Sequence, residues 1–227
     1  MKRSKKKNLI IFISLLLLFI IFTTVVKIVD VRKIGPNDSS VGLSTINKAF
    51  HDTFGYNEFF YKISKYLGYV SFLLVGFYAL LGLKELIEKK KLSKVNRNLL
   101  LLGSFYVLVL VVYIFFEKVI INYRPVLEKG VLEASYPSSH TILSICVCVS
   151  SMIVSKKLFP DIKNVKLLNI SSLSLMIAIV LTRTLSGVHW ITDIIGGILI
   201  SVTLCFLFKT SLEEPKRIKK EIQTVKD

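Results

Sequence analysis

Six long apolar runs, set apart by short polar segments, constrain this chain more than any other feature. They lie at about 8–28, 67–83, 98–117, 139–155, 167–184 and 190–208, each near the roughly twenty residues that cross a bilayer as a helix. The expected fold is therefore all-α: a polytopic six-transmembrane-helix bundle, with 1–227 forming a single membrane domain. A hydrophobic content of 52% and a mean hydropathy of +0.61 agree with an integral membrane protein rather than a soluble domain. The first run follows Lys2, Arg3 and Lys5 to Lys7, as in a signal peptide. Its length and the lack of a small-x-small cleavage site mark it instead as an uncleaved first span.

A net charge of +16 raises the question of nucleic acid, and the placement of the charge answers it. Basic residues gather at the N-terminus, in the 84–97 loop (Lys84, Lys89 to Lys91, Lys94, Arg97), in the 156–166 loop (Lys156, Lys157, Lys163, Lys166) and in the tail from Lys209. With six spans these segments share one side, which the positive-inside rule makes cytoplasmic. The expectation is a multi-pass protein of the plasma membrane with both termini and a basic tail (209–227) in the cytoplasm, and no nucleic-acid partner. Cys146, Cys148 and Cys205 all fall within apolar runs; two residues apart on a helix, the first two diverge and make a poor metal pair. They read as small packing residues.

Residues 29–66 form the long external connection. Ile34 to Ser40 is rich in turn formers. From Ser44 to Tyr66, Ile46, Phe50, Phe54, Phe59, Phe60 and Ile63 recur at roughly helical intervals, which predicts an amphipathic helix lying in the outer interface. His51 on it reads as a solvated surface residue.

The remaining polar stretches, Lys118 to Pro125, Tyr136 to His140 and Thr182 to Asp193, all adjoin span ends on the external side. His189 and Asp193 are four apart at the start of the sixth span and so share a helix face. A carboxylate there can accept the imidazole N–H, fix its tautomer and leave the other ring nitrogen free to attack phosphorus. Arg183, six residues earlier, reads as a phosphate grip, and Arg124 as a second, bidentate one. Ser138 or Ser139 can cap the fourth span, whose free N–H groups make an anion site, and His140 in its first turn can protonate a leaving oxygen. Lys118 offers a further point charge or an interfacial anchor, and Lys129 reads as ordinary surface charge. Gly187 allows a tight turn, while Gly196 and Gly197 suit close helix packing.

Together these stretches resemble the signature of the type-2 phosphatidic acid phosphatase family, whose fold is shared with vanadium haloperoxidases. That signature runs Lys-x6-Arg-Pro, Pro-Ser-Gly-His, then Ser-Arg-x5-His-x3-Asp. Here the third part reads Thr182-Arg183-x5-His189-x3-Asp193, the second Pro137-Ser138-Ser139-His140, and the first Lys118-x5-Arg124-Pro125, one residue short. Glu117 stands where the family has its lysine. The resemblance covers about residues 118–193 and implies hydrolysis through a phosphohistidine without metal or other cofactor. His189 would be the nucleophile, Asp193 its orienting partner and His140 the proton donor. Arg124, Arg183, Lys118, Ser138 and the Ser139 N–H would bind phosphoryl oxygens. One position along a helix turns a side chain by about 100°, which sets Lys118 apart from the others.

The expected substrate is a lipid phosphomonoester or pyrophosphate held at the external face, with undecaprenyl pyrophosphate ahead of phosphatidylglycerol phosphate and phosphatidic acid. The alternatives are a lipid phosphotransferase of the same fold and a catalytically silent membrane scaffold or lipid sensor. A haloperoxidase activity would need bound vanadate, which an embedded site disfavours.

Overall fold

A computed structural model describes residues 2–160 and 165–213; Lys163 and the basic tail beyond Glu213 lie outside the described residues. Among the described residues seven α-helices follow one another: α1 (Lys2–Ile28), α2 (Ser44–Phe54), α3 (Glu58–Lys89), α4 (Arg97–Lys118), α5 (Ser139–Leu158), α6 (Val165–Leu185) and α7 (Ile191–Ser211). All except α2 are long and apolar enough to cross a membrane, so the six-span bundle read from the sequence is the fold. A two-residue ribbon pairs Arg32–Lys33 with Ser40–Val41 between α1 and α2.

The predicted interfacial helix over 44–66 needs correction. It ends at Phe54, where Gly55 takes a φ of 60°, and a new helix starts at Glu58 with the Asn57 side chain accepting the Phe60 N–H at 3.2 Å. Residues 58–66 therefore belong to α3. No breaker separates Tyr66 from the apolar run that follows, so the helix continues unbroken for 32 residues. At about 1.5 Å per residue this exceeds the roughly 30 Å hydrocarbon core by several turns. The outer surplus is what carries Tyr61 and Ser64 to the level of the polar motifs.

Burial is uneven in the way a membrane requires. α5 and α7 are the inner helices: α5 packs against α3, α4, α6 and α7, and α7 also packs against α1. Their contact faces are built from small residues, among them Thr141, Ser144, Ser150, Ser151, Ser201 and Thr203, which let helices approach closely where lipid gives no hydrophobic drive. Their hydroxyls are satisfied locally, as when Ser201 donates to the Gly197 carbonyl at 2.6 Å. The outer helices turn Leu17, Ile21, Phe72, Leu73, Leu80 and Leu181 outward, a surface that only lipid would cover. On the basic side, Arg97 and Lys157 donate to the Ser211 and Leu212 carbonyls at 2.8 Å each. These bonds satisfy orphan acceptors at the end of α7 and complement its dipole.

The link between α6 and α7 holds the chain tightest. Gly187 has a φ of 65°, and a Cβ there would lie 1.8 Å from the Gly55 carbonyl oxygen. The Asn57 N–H also donates to the Ser186 carbonyl at 2.9 Å, so two backbone segments touch at this turn. Gly187→Ala is expected to cost at least about 2 kcal/mol, combining left-handed strain with a backbone clash that no rotamer relieves. Thermal unfolding in detergent should show a Tm several degrees lower; an unchanged Tm would mean that the turn is not packed as described.

Candidate active site

Five segments converge at one end of the bundle: the start of α3, the loop from α4 to α5, the first turn of α5, the end of α6 and the start of α7. The loop is shaped by isolated antiparallel bridges between Tyr123 and Ala134 and between Glu128 and Val131. The first of these sets Ser135 in place, its N–H donating to the Asn122 carbonyl at 2.9 Å. The Trp190 indole N–H donates to the Tyr123 carbonyl at 2.7 Å and ties the loop to the chain just before α7.

His189 is buried at the centre. Burial, then the positive charges of Arg183 and Arg124, hold its imidazole well below the ordinary histidine range. It is neutral at pH 7 and keeps a lone pair. Its Nε2 lies 3.3 Å from Arg183 Nη2, and its Nδ1 lies 3.0 Å from the Ser135 hydroxyl. The bond to Asp193 expected from the sequence is not made directly: Nδ1 to Oδ2 is 3.6 Å. Instead Asp193 Oδ2 accepts the Ser135 hydroxyl and the Trp190 N–H at 2.9 Å. Asp193 sits in the first turn of α7, where backbone N–H groups and the helix dipole favour a negative charge.

Arg183 is 1% exposed. Its guanidinium reaches Ser64 at 3.4 Å and lies 5.5 Å from the Tyr61 ring. Among the described residues it forms no ion pair with a carboxylate. Arg124 is held within its own loop. Its fork is engaged by Glu128 and by Glu133 at 3.2 Å, and Glu128 also receives the Tyr61 hydroxyl. Partial burial alone would raise the Glu128 carboxyl. The Tyr61 hydroxyl and the two arginines outweigh it and keep this acid below its ordinary range, hence ionised.

Ser138 occupies the N-cap position of α5 without a side-chain cap bond. Its N–H donates to the Asp193 carbonyl at 3.0 Å, and its hydroxyl accepts from Thr141 at 3.1 Å. Ser139 faces a narrow cleft that Arg124, Ser135 and His189 also line. His140, one residue on, faces an apolar cavity of about 520 Å³ between α3, α4 and α5. Cleft and cavity meet, since Tyr113, Ser139 and Ile142 line both. Lys118 does not join them. It is the last residue of α4, exposed, and lines neither space, whereas Glu117 lines the cleft. The rotation of one helical position decides this. His51 is not a solvated surface residue either: it is half-buried with its ring centroid 5.4 Å from that of Trp190.

The model of the PAP2 superfamily matches residues 99–217, more than half of the chain and all of the converging motifs. The chain belongs to the PAP2 superfamily. Among solved structures it is similar to the first transmembrane PAP2-type phosphatidylglycerolphosphate phosphatase from Bacillus subtilis, with a TM-score of 0.57 and 21% identity over 89% of this chain and 98% of that one. No curated protein matches the chain. The matched residues include His140, His189, Arg124, Arg183 and Asp193. Ser135, Asn122, Tyr61, Ser64, Glu128 and Glu133 are additions that only the structure supplies. Ser135 had a faint signal, lying two residues before Pro137 in the second motif. Tyr61 and Ser64 had none, being far from the motifs in sequence and on a helix read as interfacial.

Proposed function

We propose that this membrane protein hydrolyses a lipid phosphomonoester or diphosphate through a phosphohistidine on His189, at the external membrane face. The observation that carries the reading is the junction of cleft and cavity. A narrow polar cleft lined by His189 and Arg124 shares Tyr113, Ser139 and Ile142 with an apolar space between α3, α4 and α5 that His140 also lines. The first presents polar and cationic groups to a headgroup phosphate, and the second has room for part of an acyl or prenyl tail. Arg183, Arg124, Ser138 and the free N–H groups that begin α5 would share the phosphoryl oxygens, as anions are held at helix starts. His189 Nε2 would attack phosphorus, and His140 would protonate the departing oxygen and then activate water. No step in this scheme calls on a metal.

The external location is supported by the helix ends. Lys84, Lys89, Lys90, Lys91, Lys94 and Arg97 all lie at the opposite side of the bundle from His189, as a cytoplasmic side requires. An outward-facing site suits recycling of a carrier lipid, which places polyprenyl diphosphates first. The solved relative's phosphatidylglycerolphosphate places lipid phosphomonoesters second.

Filling the cavity tests the reading. Leu143→Trp or Leu110→Trp is expected to raise KM for a long-chain lipid phosphate by about tenfold or more, with little change for a dibutanoyl analogue, since uniform binding is what is lost. Phosphate release would be measured in detergent with chelator present, across polyprenyl diphosphates, phosphatidylglycerol phosphate and phosphatidate. Equal KM changes for long and short chains would show that the cavity does not hold the tail.

A further inference from the structure

We propose that Ser135 is a positioning residue of this reaction, a hydroxyl relay joining the His189 imidazole to the Asp193 carboxylate. The proposal rests on the reading of His189 as nucleophile, but its geometry stands independently. A guanidinium donates hydrogen bonds and accepts none. With Arg183 Nη2 at 3.3 Å, His189 Nε2 must therefore be the acceptor, which places the ring proton of the neutral imidazole on Nδ1. From Nδ1 the hydroxyl is at 3.0 Å and the carboxylate at 3.6 Å, so the N–H is directed to Ser135 Oγ. A serine has one proton, and Ser135 gives it to Asp193 Oδ2. Donors and acceptors alternate along the chain Arg183, His189, Ser135, Asp193 with none misplaced.

The consequence is chemical. As Nε2 bonds to phosphorus and the bond to the leaving oxygen breaks, positive charge grows on the imidazole, and Nδ1–H becomes a stronger donor. The hydroxyl passes the stabilising field of the carboxylate to the ring, and no proton needs to cross. The leaving oxygen takes its proton from His140. In the second step water attacks phosphorus, gives up its proton to His140, and the imidazole returns to its neutral Nδ1–H form. The relay is held by backbone bonds at both ends, Ser135 N–H to the Asn122 carbonyl at 2.9 Å and Trp190 N–H to Asp193 at 2.9 Å. Ser135 is 3% exposed and Asp193 is fully buried, so solvent does not compete.

The test uses the full chain in detergent micelles, labelled with ¹⁵N-histidine. With three histidines in the sequence, substituting each by glutamine assigns the spectrum. Native His189 is expected as the Nδ1–H tautomer, which Arg183 holds in place, and Ser135→Ala should keep that tautomer but move the Nδ1 and Nδ1–H resonances as their acceptor is lost. With dioctanoyl phosphatidate as substrate and chelator present, Ser135→Ala is expected to lower kcat about 10–100-fold, as loss of an orienting partner does elsewhere, with KM little changed. Ser135→Thr, which keeps the hydroxyl, should recover most of kcat. A native Nε2–H tautomer, or a Ser135→Ala protein with native Nδ1–H resonances and native kcat, overturns the relay. If the native protein shows the tautomer and its Nδ1–H resonance depends on Ser135 but no phosphate is released from any lipid, the relay stands and the proposed reaction fails. If Ser135→Ala does not fold, the native tautomer and the threonine variant still decide.

Discussion

His189→Gln is expected to abolish phosphate release, with a loss of at least about 10⁴-fold in kcat, the scale on which removing a covalent nucleophile acts. The side chain is buried, neutral and held from both ring nitrogens, by Ser135 at 3.0 Å and Arg183 at 3.3 Å. Glutamine is close in size and retains a donor and an acceptor, so folding should survive while the attacking lone pair is lost. Two readouts bear on the same point. Phosphate release from the best lipid should fall to background, and the native protein, quenched during turnover of ³²P-labelled substrate, should carry acid-labile label that the variant lacks. Label that persists in the variant would place the covalent bond on another residue, with His140 the next to test. A variant that turns over at the native rate would remove His189 from the chemistry altogether.

Much of this site was legible in the sequence because its principal residues lie at span ends, where motif spacing along one helix translates directly into position. His189 and Asp193 had to share a face, and Arg183 had to sit one turn below the link to α7. Two kinds of feature were not legible. The first is contact between segments remote in sequence. Ser64 approaches Arg183 across 119 residues, and Tyr61 approaches Glu128 across 67, because α3 overshoots the membrane. Its length was hidden by aromatic residues that fit an interfacial helix and a buried helix end equally well. The second is the difference between sharing a face and touching. A four-residue spacing brings Nδ1 and Oδ2 to 3.6 Å, close enough to suggest a bond, yet the bond goes through Ser135 from another segment. Lys118 shows the reverse: it was counted among the phosphate-binding residues, and the one-residue departure from the family spacing, which set it apart, goes with a side chain that lines neither cleft nor cavity. Arg124 was read as free for phosphate; Glu128 and Glu133 lie within ten residues of it, but nothing in their spacing fixes the hairpin that folds them back onto it.

Arg183→Met is expected to reduce kcat/KM by about 10³-fold or more, the range in which a lone arginine on a transferring phosphoryl group acts, without lowering Tm. The two expectations have one cause. Arg183 is 1% exposed and, among the described residues, forms no ion pair with a carboxylate; its neighbours are Ser64 Oγ, the Tyr61 ring and His189 Nε2. A buried charge so weakly compensated costs folding free energy, and replacing it with an apolar chain is neutral or stabilising where the shape is kept. A residue that the fold would do as well without is one kept for its ligand. Arg183→Lys should also lose most activity despite keeping the charge, because a single ammonium cannot hold Ser64 and His189 together and present a planar fork to phosphate. Measuring kcat/KM and Tm side by side separates the roles: a Met variant that is inactive and also melts several degrees lower would make Arg183 a structural residue. An inactive variant of native or higher Tm would assign its charge to the phosphate, and the lysine variant would then show how much of that binding depends on the planar fork.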